Sequence, residues 1–153
     1  MKSDVAYENA RAVENIIGFR FHDITILIEA LQASGSAMTA IGTRTFQDGN
    51  KRLALQGDVV LKFIVVSRWY PTEQSREAAT NLVNQIGANA NLAVVGNRLG
   101  LGQFVSRSGG ERVVGLKTMS ATVEAIIGAA FNDGSWPGAA TVMISMGLID
   151  AEL

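Results

Sequence analysis

Apolar residues recur along this chain at intervals of three and four positions, and strict alternation is nearly absent, so the pattern predicts helices almost throughout. Ala6, Ala10, Val13 and Ile17 line one face of a first helix, with Ala12 and Ile16 on its flank, and Gly18 stands where that helix stops. Asp23 is a good N-cap for a second helix carrying Ile24, Leu27, Ile28 and Leu31. Residues 33–49, rich in Gly, Ser and Thr, read as a loop with room for one short helical turn. A long helical pattern over 50–70 ends at Pro71. Two more helices follow, one over 72–83 with Glu73 and Glu77 in its first turns, the other over 88–99. Beyond a polar surface loop at 106–112, helices over 118–131 and 136–146 flank Asn132-Asp133-Gly134-Ser135, a turn by composition. The sum is an all-α architecture of about seven helices.

Composition supports a packed core. The 153 residues amount to a single domain, 1–153, and 48% hydrophobic against 18% charged residues excludes a disordered chain. Thirteen Lys and Arg balance fourteen Asp and Glu, so no overall charge draws the chain to nucleic acid or lipid headgroups, although a local basic face remains compatible. The absence of cysteine removes disulfides, thiolate metal sites and cysteine nucleophiles, and a lone histidine removes His-rich zinc sites. The first residues carry Asp4 and Glu8 where a signal or transit peptide needs basic and apolar runs. No window reaches the ~20 unbroken apolar residues of a membrane span. A soluble, intracellular protein with no membrane partner is the expectation.

Four ordered blocks carry a resemblance. Asn50-Lys51-Arg52-Leu53-Ala54-Leu55-Gln56-Gly57-Asp58-Val59-Val60-Leu61 resembles the ribonuclease III family signature N-E-R-L-E-F-L-G-D-A-V-L. Upstream, Gly18-Phe19-Arg20-Phe21 and Leu27-Ile28-Glu29-Ala30-Leu31 are similar to the family's G-Y-x-F and L-L-x-x-A-L pieces. Downstream, Asn89-Ala90-Asn91-Leu92-Ala93 with Leu99-Gly100-Leu101 looks like S-N-x-x-L-A and L-G-L, and residues 121–134 resemble D-x-x-E-A-L-I-G-A-I-Y-L-D-G-G. The resemblance spans nearly the whole chain. It implies the all-helical nuclease-domain fold and a homodimer whose subunits form a valley for double-stranded RNA. No double-stranded RNA-binding domain is expected, because the chain ends soon after the last nuclease-domain helix.

Metal-assisted phosphodiester hydrolysis needs several oxygen ligands to hold Mg2+ and activate water. The resemblance puts these ligands four apart on one helix and three apart on another, spacings that share a helix face. Here the first pair reads Ala54 and Asp58, the second Ala121 and Glu124, and the Glu of the signature is replaced by Lys51. Two of four metal-binding acids are thus alanine. The expectation is a pseudonuclease that needs no cofactor, with Asp58 and Glu124 as candidate catalytic residues and Lys51, Ala54 and Ala121 lining the former valley.

Two alternatives stay open. One is a degenerate but active endoribonuclease in which Asp58 and Glu124 bind Mg2+ or Mn2+, with RNA phosphates completing the shell. The other is a metal-independent enzyme on a small organic substrate, with one of these carboxyls as acid or base in a less polar valley. Away from any motif, Asp58 would read as a solvated helix acid or cap and Glu124 as a salt-bridged surface residue. Gly57 and Gly128 read as sites of close helix packing. His22 reads as a structural or exposed histidine, and Trp69, Tyr70 and Trp136 as packing anchors. Leu53, Leu55, Gln56, Leu61 and Phe63 lie on the helix the resembling family uses for dimerisation, and core packing within one subunit would look the same. Lys51, Arg52, Lys62 and Arg68 on that helix could face phosphates, though such residues more often form a solvated face.

Overall fold

The computed structural model describes residues 2–108 and 113–151. Helix α1 (Lys2–Ile17) buries Ala6, Ala10, Val13 and Ile17, and Gly18 ends it at φ +63°, a left-handed conformation that glycine adopts without strain. Helix α2 (Ile24–Ala30) starts at Asp23, whose carboxylate accepts the Thr25 N–H at 3.0 Å.

The stretch after α2 corrects the sequence reading. In place of a loop with a helical turn, it contains a short antiparallel hairpin, β1 (Ala40–Ile41) and β2 (Arg44–Thr45), with Ile41 opposite Arg44. Gly42, at φ +59°, opens the two-residue turn. Strands this short leave no alternation to read. The hairpin is strapped to α2 by Arg44, which donates to Thr25 Oγ1 (3.1 Å), Glu29 Oε1 (3.2 Å) and Asp23 Oδ2 (3.3 Å).

Helices α3 (Lys51–Trp69), α4 (Arg76–Gly87) and α5 (Asn89–Arg98) follow, then a 3-10 helix at Leu101–Phe104 that the pattern did not predict. Helix α4 begins later than its acids suggested. Trp69 Nε1 donates to the Gln74 and Ser75 carbonyls, holding residues 72–74 out of the helix, and the Ser75 hydroxyl accepts the Ala78 N–H. Only Glu77 therefore lies in the first turn. Trp69 is an anchor as read, whereas Tyr70 is 78% exposed and meets the Trp69 ring edge-on at 6.5 Å between centroids, too exposed to anchor the core. Of the polar loop 106–112, residues 109–112 lie outside the described residues.

Helix α6 (Leu116–Ser145) is the central element, packed against α2, α3 and α5, and nearly every residue from Met119 to Ala130 is buried. Its interruption is narrower than the composition of residues 132–135 predicted. Helix persists through Gly134, and the break is confined to Ser135 at φ 57°, ψ −159°, just before Trp136 and Pro137. Asn132 keeps the helical turn by donating to the Gly128 carbonyl at 2.9 Å, and the Phe19 ring packs over Gly134 and Gly138, where a Cβ would collide with it. No helix among the described residues is long and apolar enough to cross a membrane.

Candidate functional site

The site forms where α3 crosses α6. A Cβ on Gly57 would collide with the Glu124 carbonyl, and one on Gly128 with the Leu53 carbonyl, so the two helices touch backbone to backbone. That approach places Asp58, the next residue on α3, close enough to Glu124 on α6 to act on its carboxyl. Lys62, one turn further along α3, closes the cluster with its Nζ 3.1 Å from Asp58 Oδ2. Burial, first, and then the hydrogen bond and negative charge of Asp58 push the Glu124 carboxyl from 4.5 up to about 7, against a smaller downward pull from Lys62. Near neutral pH, the Glu124 carboxyl is thus partly protonated.

The other candidate positions are arranged as follows. Ala54 is buried one turn before Asp58, and half-buried Ala121 lies three residues before Glu124, so each alanine shares a helix face with an acid. Lys51 is exposed at the first residue of α3, about 10 Å along the helix axis from Asp58. Among the described residues, no group of three or more Asp, Glu, His or Cys is placed to hold a metal ion.

Three polar features of the crossing were not anticipated. Lys62 pairs with Asp58; the four-residue spacing was the available signal. Gln56 and Asn132 form a reciprocal amide pair across α3 and α6, at 2.6 and 3.3 Å, and nothing local in the sequence marks it. Asp133 accepts the His22 and Asp23 N–H groups at 2.8 and 3.0 Å and contacts His22 Nδ1 at 3.2 Å, fastening the entry of α2 to α6; His22 itself is exposed. Asn50, the first residue of the signature block, is buried and donates to the Ala30 carbonyl at 2.8 Å.

Helix α3 has two apolar faces. Leu53 and Leu61 are buried in the core, whereas Leu55, Val59, Phe63 and Val66 form an exposed stripe with spacing near four residues. Trp136 extends the stripe, its ring centroid 4.6 Å from that of Phe63 and 4.7 Å from that of Phe131. A cavity of about 880 Å³ beside this stripe is lined by Arg44, Phe46, Arg52, Leu55 and Val59, and by neither Asp58 nor Glu124.

The sequence model of the ribonuclease III domain matches residues 51–135, the stretch that carries this crossing. The chain belongs to the ribonuclease III domain family. Relatives include Ribonuclease 3 of Syntrophotalea carbinolica, 30% identical over 136 residues, covering 84% of this chain and 57% of that protein. Ribonuclease 3 of a Wolbachia from Brugia malayi is 29% identical over 131 residues, covering 81% and 53%. The chain therefore spans about half the length of the curated relatives it matches. Two structures of the ribonuclease III nuclease domain of Campylobacter jejuni share the fold. One superposes with a TM-score of 0.70 at 23% identity, over 87% of this chain and 92% of that one, and is described as showing structural flexibility in a region involved in dimer formation. The other reaches 0.69 at 20% identity, over 95% and 97%.

Proposed function

We propose that this ribonuclease III-family domain is a pseudonuclease. It acts as a dimer that binds duplex RNA in the former catalytic valley without metal-dependent cleavage. The observation that carries this reading is the composition of the α3–α6 crossing. Where the family motif has four acids there are two, Asp58 and Glu124, alongside Ala54 and Ala121, and Asp58 is already paired with Lys62. Mg2+ demands near-octahedral oxygen coordination and gives up its water reluctantly. Two carboxyls, one raised toward its neutral form and the other paired with an ammonium, do not fit it. The exposed stripe of Leu55, Val59, Phe63 and Val66 supports a second copy as the partner of α3, since a contiguous apolar row on one helix is costly to leave in water.

The deciding experiment is calorimetric titration of Mg2+ and Mn2+ into the protein with and without a short RNA duplex, followed by a cleavage gel on the same samples. The expected result is duplex binding with neither saturable metal uptake nor cleavage. Metal binding with cleavage would overturn the reading in favour of an active endoribonuclease whose Asp58 and Glu124 suffice.

A second reading has one observation of its own. A half-buried carboxyl raised to about 7 is poised to give or take a proton without metal, as an acid–base enzyme on a small organic substrate requires. The large cavity beside α3 lies away from Glu124, so such a substrate needs a groove completed by the second copy. A bell-shaped pH–rate profile lost in Glu124→Gln would favour it.

A further inference from the structure

Two carboxyl groups and one ammonium meet where α3 crosses α6, which leaves at most one net negative charge to attract a cation. Ala54, Asp58 and Lys62 succeed one another at intervals of four residues on one face of α3. The Lys62 Nζ stands 3.1 Å from Asp58 Oδ2, the distance of a charge-assisted hydrogen bond. With side chains 30% and 50% exposed, Asp58 and Lys62 make a pair that adds little to stability. Its consequence is occupancy. The ammonium is tethered one helical turn from the carboxylate, and its charge also reaches Glu124 across the crossing. A dissolved divalent ion has to displace a partner that never diffuses away, and then sit beside the displaced positive charge.

We infer that Lys62 is the resident cation of this site: its ammonium holds the place beside Asp58 that a divalent metal would need, and it opposes metal binding independently of the two missing acids. The inference rests on the metal-free reading above and extends it from a site short of ligands to one already filled. If only ligands were missing, returning carboxylates would restore metal binding whatever stands at position 62. With a resident cation, returned carboxylates work well only when Lys62 is also removed.

The test uses the full chain and Mn2+ alone as probe, read by calorimetry and by the electron paramagnetic resonance spectrum of bound Mn2+. Two backgrounds return acids: Ala121→Asp, at a half-buried position that tolerates a carboxylate, and Ala54→Glu combined with Ala121→Asp. Adding Lys62→Gln is expected to tighten Mn2+ by at least about tenfold, whereas adding Lys62→Arg, which keeps the charge, leaves the affinity unchanged. The same affinity, or no binding, with and without Lys62→Gln in the folded backgrounds overturns the inference. Saturable Mn2+ binding by the unsubstituted chain overturns the metal-free reading itself, so the two failures are told apart.

Discussion

Glu124 binds its proton more tightly in the folded protein than in the unfolded chain, because folding removes its carboxylate from water and sets Asp58 beside it. A raised carboxyl pKa stabilises the fold at low pH and loses that advantage as pH rises from the unfolded value of 4.5 through the folded value of about 7. Wild-type stability should therefore fall across that window and level off above it. Since Glu124 is only about half buried, solvent screening reduces the effect to about 1 kcal/mol. In Glu124→Gln, urea unfolding between pH 4.5 and 8 should lack this fall, with the variant more stable than wild type at pH 8. An unchanged fall would assign it to another group. Both acids were legible in the sequence because they stand at motif positions. The raised Glu124 carboxyl was not, because it depends on two helices approaching closely enough to bring the two acids together, and Lys62 passed for one more basic residue on a solvated face.

The elements depend on small residues at two places. Gly57 and Gly128 let α3 and α6 meet without side chains between them, and the methyl group of Gly57→Ala would run into backbone, which cannot swing aside as a side chain can. The expected cost is about 3 kcal/mol, read as a fall in the denaturation midpoint, together with loss of the elevated Glu124 pKa in a carboxyl titration as the helices part. The kink of α6 works in the opposite sense. Ser135, at φ 57° and ψ −159°, occupies a backbone region that is essentially glycine-only, so Ser135→Gly should raise stability by about 1 kcal/mol with the kink retained, measured by chemical denaturation. A lower stability would show that the serine side chain compensates for its backbone. Most helix positions were legible from periodicity and caps, Asp23 among them. The β1–β2 hairpin and the late start of α4 were not, because Arg44 reaching back to α2 and the Trp69 indole holding residues 74 and 75 act across turns that a local pattern does not register.

On the scale of the whole molecule, the exposed stripe of α3 stands next to the carboxyl pair, so the proposed dimer would close beside the site. Val59, 60% exposed and adjacent to Asp58, is a direct probe. Val59→Glu should convert a dimer to monomer in sedimentation at micromolar concentration, since an interface closing over an unpaired charge loses affinity by about a hundredfold or more. A variant that stays dimeric would place the interface elsewhere, and a wild-type monomer would overturn the proposed dimer. The sequence by itself determined the helical class, the family, and the acids and alanines at the motif positions, because these depend on residue identity and on spacings within single helices. Tertiary structure decided which apolar residues of α3 are core and which form an outer stripe, and that Asp58 and Glu124, from two helices, come together so that the Glu124 carboxyl is raised. The physical reason is that burial and proton affinity are properties of groups brought together from distant parts of the chain, and no one segment contains them.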